Sequence, residues 1–577
     1  MKLERRVVFV EGFLKWWKRD KRYMVLVKSV ILSLLPLVCC LVYCAAQGTG
    51  LGAVYLPASE WNDELFYYKQ VEGIVNYGYP RGFFGFNESR ALQLSFAAWS
   101  PVLVFPWVIW GLLFGWNLMS PVLCNIFLMM LCCFLFVWLV KPSWKQLGIL
   151  GFLFCLYTPF VRYMLSAMPE VICFSLLIFF YSLALNYLRR ERGYKLVILF
   201  VTAGLMTLMR PYMLLFLLLP CGFWIRRSKW KGAVGSLAVL AGVLGAYACI
   251  KHFLGAEYFA PLFFTDWVSA FWEQGVVEGI RFTLGRLYYM GKSFFGHTLQ
   301  GYRTGLASGA FFAGFLVCMA VLVYQCLRDV RLWRKQLPEP LAKVEERKGR
   351  MSKQWQSFPG KEEGGGQAVR SAWEEDARKR RSLLVIEAHL AFSFVAMFFA
   401  LLLMYKLTEG SKHLLTFMAA AIFIISLMET RFYKKVVLTG ITFAYFYSYM
   451  AVDPYDYQVP FVQEERRAEL EGWREKLSEQ LVLNLDESAP QYENVVIWVL
   501  YDTVDGKSVN TQWQLLYGLP EGMGISCCMP DYVMEHFDAL QSRYICVSPE
   551  GAIEDRCVEA GYRKLAEGEK AVLYQRY

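Results

Sequence analysis

The run Met24 to Ala46, MVLVKSVILSLLPLVCCLVYCAA, is followed closely by the polar and aromatic stretch Pro57 to Arg90, PASEWNDELFYYKQVEGIVNYGYPRGFFGFNESR. The first has the length and apolarity of a helix that crosses about 30 Å of hydrocarbon. The second sets two adjacent carboxylates, Asp63 and Glu64, just past the mouth of that helix. Ionisable groups held so near a bilayer are costly, and they mark a candidate working site. A carboxylate pair in a loop can also do no more than solvate it, so its neighbours decide between the two readings.

Composition agrees with a membrane chain. Of 577 residues 56% are hydrophobic, 17% aromatic and only 19% charged, too apolar for an ordinary soluble protein. The net charge of +11 does not point to nucleic acid, because Lys and Arg sit in short clusters between apolar runs, the mark of cytoplasmic loops. The basic amino terminus precedes a run longer than a signal-peptide core, so a retained first helix is expected. All cysteines but Cys527, Cys528, Cys546 and Cys557 lie in or beside apolar runs, where thiols pack as small hydrophobes. Those four fall in the polar tail, where a disulfide is open but its pairing is not readable. No Cys/His spacing suggests zinc.

Further apolar runs are Trp99 to Trp116, Met119 to Val140, Leu147 to Met164, Val171 to Leu188, Leu196 to Met209, Tyr212 to Ile225, Ala233 to Phe253, Ser308 to Leu327, Leu383 to Tyr405, Leu414 to Met428 and Val436 to Met450. The clusters Arg189 to Lys195, Arg226 to Lys231, Arg328 to Arg381 and Arg431 to Lys435 can all be cytoplasmic only if one early run does not cross. Trp99 to Trp116, with Pro101, Pro106 and four tryptophans, is the one that reads as interfacial. The expected fold is an all-α polytopic membrane protein of about eleven crossings plus juxtamembrane helices, with a small carboxyl-terminal α/β domain. The expected division is 1–453 for the membrane domain and 454–577 for the tail. Within the former lie a first outer loop, 57–118, a second outer loop, 254–307, and a charged cytoplasmic loop, 328–382.

With the amino terminus cytoplasmic, the outer face receives Asp63 and Glu64, the turn Arg162 to Glu170, the Arg210-Pro211 turn, loop Leu254 to Ala307, Lys412-His413 and the tail. The second outer loop is aromatic and partly amphipathic, the pattern of a segment lying on headgroups. The insert Arg328 to Arg381 reads as largely unstructured with helical fringes. In the tail, Gln463 to Leu483 reads as an amphipathic helix with Leu470, Trp473, Leu477 and Leu481 in one stripe. Val495 to Tyr501, Tyr544 to Val547 and Ala571 to Tyr577 read as strands, and Asp531 to Leu540 as a short helix.

This arrangement resembles the GT-C superfamily of integral-membrane glycosyltransferases, in particular the polyprenyl-phosphate-sugar-dependent branch with the protein O-mannosyltransferases and lipid A aminoarabinose transferases. The features that carry the resemblance are Asn62-Asp63-Glu64 in the first outer loop, the juxtamembrane segment Trp99 to Trp116, Arg162 with Glu170, Arg210-Pro211 and Lys412-His413. They form a pattern over roughly residues 1 to 450. The resemblance implies transfer of a sugar from a polyprenyl-phosphate donor to an acceptor at the outer face, with inversion at the anomeric carbon. The acceptor is a glycan, a lipid or a protein.

The residues fit that chemistry on their own terms. A single displacement needs one base for the acceptor's proton, and Asp63 is the candidate; Glu64 would orient substrate or help hold a divalent ion, Mg or Mn. The leaving phosphate needs cations rather than an acid, and Arg162, Arg210, Lys412 and His413 are the candidates. Glu170 would fix Arg162 or contact the sugar, and Tyr67, Tyr68, Tyr77 and Trp61 offer faces for it. Each has a plainer reading: arginines at helix ends snorkel, and aromatics form interfacial belts. A transporter or flippase of lipid-linked sugars, and a polysaccharide polymerase or ligase, are the alternatives. A bacterial plasma membrane is the simplest setting.

Overall fold

The computed structural model describes residues 21–46, 48, 50–53, 63–78, 84–88, 100–157, 159–254, 264–304, 319–320, 322–328, 330–331, 364–405, 407–428, 464–481, 483 and 492–577. Trp61, the run Val436 to Met450, most of Ser308 to Leu327 and the centre of the charged insert lie outside these residues.

Among the described residues, five helices are long and apolar enough to cross a membrane: Tyr23–Ala46, Ser120–Val140, Glu170–Arg189, Pro211–Phe253 and Arg380–Met404. Four shorter apolar helices, Pro101–Phe114, Trp144–Leu156, Gly193–Met209 and His413–Leu427, accompany them. Glu170–Arg189 is the centre of the bundle, with 83% of its apolar window buried, and Ser120–Val140, Gly193–Met209, Leu407–Leu427 and Gly364–Met404 pack around it. A helix apolar on every side belongs in such a position.

Local sequence explains the departures from simple spans. The segment after Ser100 forms a short 3-10 turn, Pro101–Val104, and the helix Phe105–Phe114, about 15 Å long and too short to cross. The single run expected over Leu147 to Met164 is two helices, Trp144–Leu156 and Pro159–Met164. Pro159 has no N–H to continue the first. The runs Tyr212 to Ile225 and Ala233 to Phe253 meet at Lys229, whose φ of 44° breaks the helix Leu218–Leu254 within the basic cluster. The chain then turns back on itself, and a Cβ at Gly235 would stand 2.2 Å from the Trp224 ring. The segment expected as the second outer loop is helical over Asp266–Glu273 and Val276–Thr304, and the latter exposes Val276, Ile280, Leu284 and Tyr288 along one stripe. Arg286 Nε donates to the Leu403 carbonyl and its guanidinium lies 4.0 Å over the Phe264 ring, which pins this helix to the end of Gly364–Met404.

The tail forms eight-strand architecture with help from far upstream. β1 is Phe84–Phe86, β2 Val495–Val499, β3 Tyr501–Val504, β4 Lys507–Asn510, β5 Gly524–Cys528, β6 Tyr544–Val547, β7 Arg563–Glu567 and β8 Val572–Gln575. Six of them make one sheet in the order β1-β5-β2-β6-β8-β7, while β3 and β4 form a separate hairpin. β1, β5, β2 and β6 run parallel, and β6, β8 and β7 antiparallel. β2 and β5 are buried along their whole length, as central parallel strands covered on both faces should be. The helix Glu464–Gln480 covers one face with Leu470, Trp473 and Leu477, and Pro530–His536 and Ala552–Glu559 cover the other.

The tail cysteines are buried free thiols, Cys527, Cys528 and Cys546 on strands of this sheet and Cys557 on the helix Ala552–Glu559 that covers it, not a disulfide. Trp498 on β2 is the register partner of both Cys527 and Cys546. Those two cysteines therefore stand two strand spacings apart, about 9.5 Å, beyond the reach of a disulfide.

Candidate functional site

The helix Asp63–Tyr77 begins with its two carboxylates in the first turn, where unsatisfied N–H groups favour negative charge. Asp63 is half-buried, whereas Glu64 has no solvent exposure. One turn beyond Asp63, the Tyr67 ring is buried as well. Burial, followed by the charge of Asp63, pushes the Tyr67 phenol well above its usual range; Arg210 opposes the shift and Glu170 adds to it. Tyr67 thus sits where the acidic helix, the end of Gly193–Met209 and the start of Glu170–Arg189 converge.

Arg210 is placed by its neighbour. Pro211 forces the preceding residue into extended geometry, and Arg210, at φ −143° and ψ 115°, closes the helix Gly193–Met209. Its Nη2 donates to Glu170 Oε1 at 2.7 Å, and neither side chain touches solvent. Its Nη1 lies 3.2 Å from the Tyr212 hydroxyl and 3.1 Å from His413 Nδ1, and those two are 3.2 Å apart. Glu170 is the first residue of its helix, favourable for an anion. Four elements therefore contribute to one buried polar cluster.

The turn between Arg162 and Glu170 ties this cluster to the acidic pair. Asn125 donates to the Tyr163 and Ser166 carbonyls at 3.2 and 2.9 Å while accepting from Trp107 Nε1 at 2.9 Å, which fixes the turn to Ser120–Val140. The Ala167 N–H then approaches Glu64 Oε2 at 3.4 Å. Arg162, on Pro159–Met164, is buried.

The structure thus brings Asp63, Tyr67, Glu170, Arg210 and His413 together. It differs from the expected pairing in one respect: Glu170 is bonded to Arg210 rather than to Arg162. Tyr68 is not turned to the same place. Its ring stacks on Trp116 at 5.3 Å and meets Tyr517 edge-on at 5.1 Å, within the seam between the acidic helix and the tail. The side chain of Lys412 lies outside the described residues. Among the described residues no three His, Cys, Asp or Glu side chains gather as a metal-binding set. Tyr212 and Tyr517 were not singled out in the sequence; Tyr212 carried a weak signal, standing next but one to Arg210, and Tyr517 carried none.

Behind the acidic helix, the tail closes in. Lys69 Nζ bonds Glu72 at 2.7 Å and the Leu519 carbonyl at 3.1 Å, all buried. Leu65, Phe66, Tyr68 and Ala167 share one hydrophobic cluster with Trp473, Leu477, Leu516 and Tyr517. Beyond β1 the chain turns through Asn87 and Glu88, with φ of 48° and 52°. The buried Glu88 carboxylate then accepts from the Gln541 and Ser542 N–H groups, the latter at 2.6 Å.

No protein-family model matches the chain, and no curated protein matches it. Two solved structures are similar to it over 94% of this chain and 97% of theirs, at 11% identity: ArnT from Cupriavidus metallidurans in the apo state, with a TM-score of 0.39, and the same protein bound to undecaprenyl phosphate, with a TM-score of 0.38.

Proposed function

We propose that this chain is a membrane glycosyltransferase that moves a sugar from a polyprenyl-phosphate donor to an acceptor hydroxyl at the outer face by a single inverting displacement. One observation carries the reading: the turn Arg162 to Glu170 presents the Ala167 N–H to Glu64, the neighbour of Asp63, and at its end Glu170 holds the buried guanidinium of Arg210. A general base and a cation cluster at one place are what attack by a hydroxyl and departure of a phosphate require.

In this reading Asp63 accepts the proton of the attacking hydroxyl, and Arg210, Arg162, Lys412 and His413 stabilise the leaving phosphate. Glu170 holds the fork of Arg210 in plane, and a donor phosphate competes with it for the guanidinium. Tyr67 orients the sugar between them. A Mg or Mn ion at Asp63 would draw most of its ligands from the donor phosphate and water.

The test is turnover of a polyprenyl-phosphate sugar by the purified protein in liposomes. Asp63→Asn should lower the rate by about 100- to 10,000-fold, the share a positioned base supplies, with thermal stability unchanged. Wild-type turnover by that variant would reject the assignment of the base.

A further inference from the structure

The helices Lys21–Ala46 and Trp144–Leu156 pack along one another, and their contacts keep one offset. Lys28 Nζ stands 5.0 Å over the Trp144 ring and donates to the Pro142 carbonyl at 2.9 Å. A Cβ at Gly151 would stand 3.8 Å from Leu35 Cδ2, and Cys39 Sγ meets Cys155 Sγ at 3.8 Å. Lys28, Leu35 and Cys39 thus face Trp144, Gly151 and Cys155, with an offset of 116 at every layer. Two helices in constant register run parallel, and steps of seven and then four residues are those of a knobs-into-holes seam. Gly151 stands one turn before Cys155 and carries no side chain, so the backbones can approach next to the two thiols.

Lys28 and Trp144, a cation against an indole, mark the level of one headgroup layer. Eleven residues further along each helix is about 16 Å, so the thiols lie near the middle of a hydrocarbon layer about 30 Å thick. Cys155 is exposed and Cys39 half-buried. Val38 and Phe152 beside them are exposed too, so the pair opens toward lipid.

We propose that Cys39 and Cys155 form a modification site within the bilayer, a dithiol that a lipid-soluble quinone oxidises to a disulfide linking the helices Lys21–Ala46 and Trp144–Leu156. A reagent confined to water does not reach this depth, and the thiolate that drives exchange in water is costly there. A quinone dissolves in hydrocarbon and accepts two electrons. Two S–H bonds break and one S–S bond forms, as side-chain rotation closes the sulfurs from 3.8 Å to about 2.05 Å. The two electrons and two protons leave with the quinone, which becomes its hydroquinone. The bond joins the helix that leads to Asp63 with the one that leads, through Pro159–Met164, to Glu170. The proposal is independent of the transferase reading.

The experiment treats the full-length protein in liposomes with decylubiquinone or, in parallel, with oxidised glutathione, a disulfide confined to water. Remaining thiols are blocked with N-ethylmaleimide during denaturation, and unreduced peptides are identified by mass spectrometry. A peptide pair joined through Cys39 and Cys155, lighter by two hydrogen atoms, should appear in most molecules treated with quinone and in few treated with glutathione. Cys155→Ser should lose that species entirely, whereas Cys132→Ser, which alters a thiol bonded to the Ser175 carbonyl, should retain it. Absence of the linkage after quinone treatment overturns the proposal. So does equal linkage by oxidised glutathione, or preferential linkage of Cys39 to a different cysteine.

Discussion

A guanidinium and a carboxylate held 2.7 Å apart with no solvent exposure have lost their hydration and are repaid by each other, the guanidinium also by Tyr212 and His413. Removing one member leaves the other charged and without this partner, a loss of about 3 to 5 kcal/mol, whereas replacing both with apolar residues of similar volume can be nearly neutral. Glu170→Gln and Arg210→Met should each lower the melting temperature sharply. The double variant Glu170→Leu with Arg210→Met should regain much of it and still fail to transfer sugar. A double variant less stable than either single one would contradict the pairing. The sequence carried part of this. Arg-Pro at a helix end and Glu at a helix start were visible as chemistry; which carboxylate meets which arginine depends on how helices pack, and no spacing along one chain encodes that. Asp63 was legible from its position beyond the first apolar run, whereas Tyr517 lies in a module whose sequence shows no motif.

At the level of elements, β1 is the connection that binds the segment after the first apolar helix to the tail. Its three residues have no alternating pattern to announce a strand, and its partner β5 lies more than four hundred residues away, so local sequence reading leaves it as loop. The amphipathic helix Glu464–Gln480 was legible, because a stripe of Leu470, Trp473, Leu477 and Leu481 has only one folded use. Docking of β1 depends on Glu88, whose carboxylate accepts the Gln541 and Ser542 N–H groups and whose own N–H donates to Ser526 Oγ at 2.9 Å. Bonds from neutral donors to a buried charge contribute about 1.5 to 3 kcal/mol each. Glu88→Ala should therefore release β1, seen as faster amide hydrogen exchange at residues 84–88 and along β5 while β6 and β8 stay protected. Equal exchange in both proteins would show that backbone pairing alone holds the strand.

For the whole molecule, a sheet shared between residues 84–86 and the tail requires both to lie on one side of any membrane the helices cross. The helix Arg380–Met404, 25 residues long, is about 37 Å end to end, with Leu403 at the end where Arg286 docks. Cysteines introduced at the exposed positions Asn76 and Lys507 should react with an impermeant maleimide from the same side of sealed vesicles, and one at Arg381 from the opposite side. Reaction of Arg381→Cys together with the other two would overturn this arrangement. Hydropathy made the long helices legible, because chain length against bilayer thickness is a one-dimensional measure. The break after Leu156 escaped it, since apolarity continues across it, whereas the turn at Lys229 was announced by the basic cluster Arg226 to Lys231 between two separate apolar runs.

The parallel pairing of β1 with β5 also dictates an order of assembly. The Glu88 N–H finds its partner 438 positions later in the chain, and at about 5 to 20 residues per second a ribosome needs roughly 20 to 90 seconds to deliver it. Throughout that interval the nascent protein carries its acidic segment uncovered, so a polypeptide cut short before β5 would reach the bilayer with its helices inserted and its first loop still waiting.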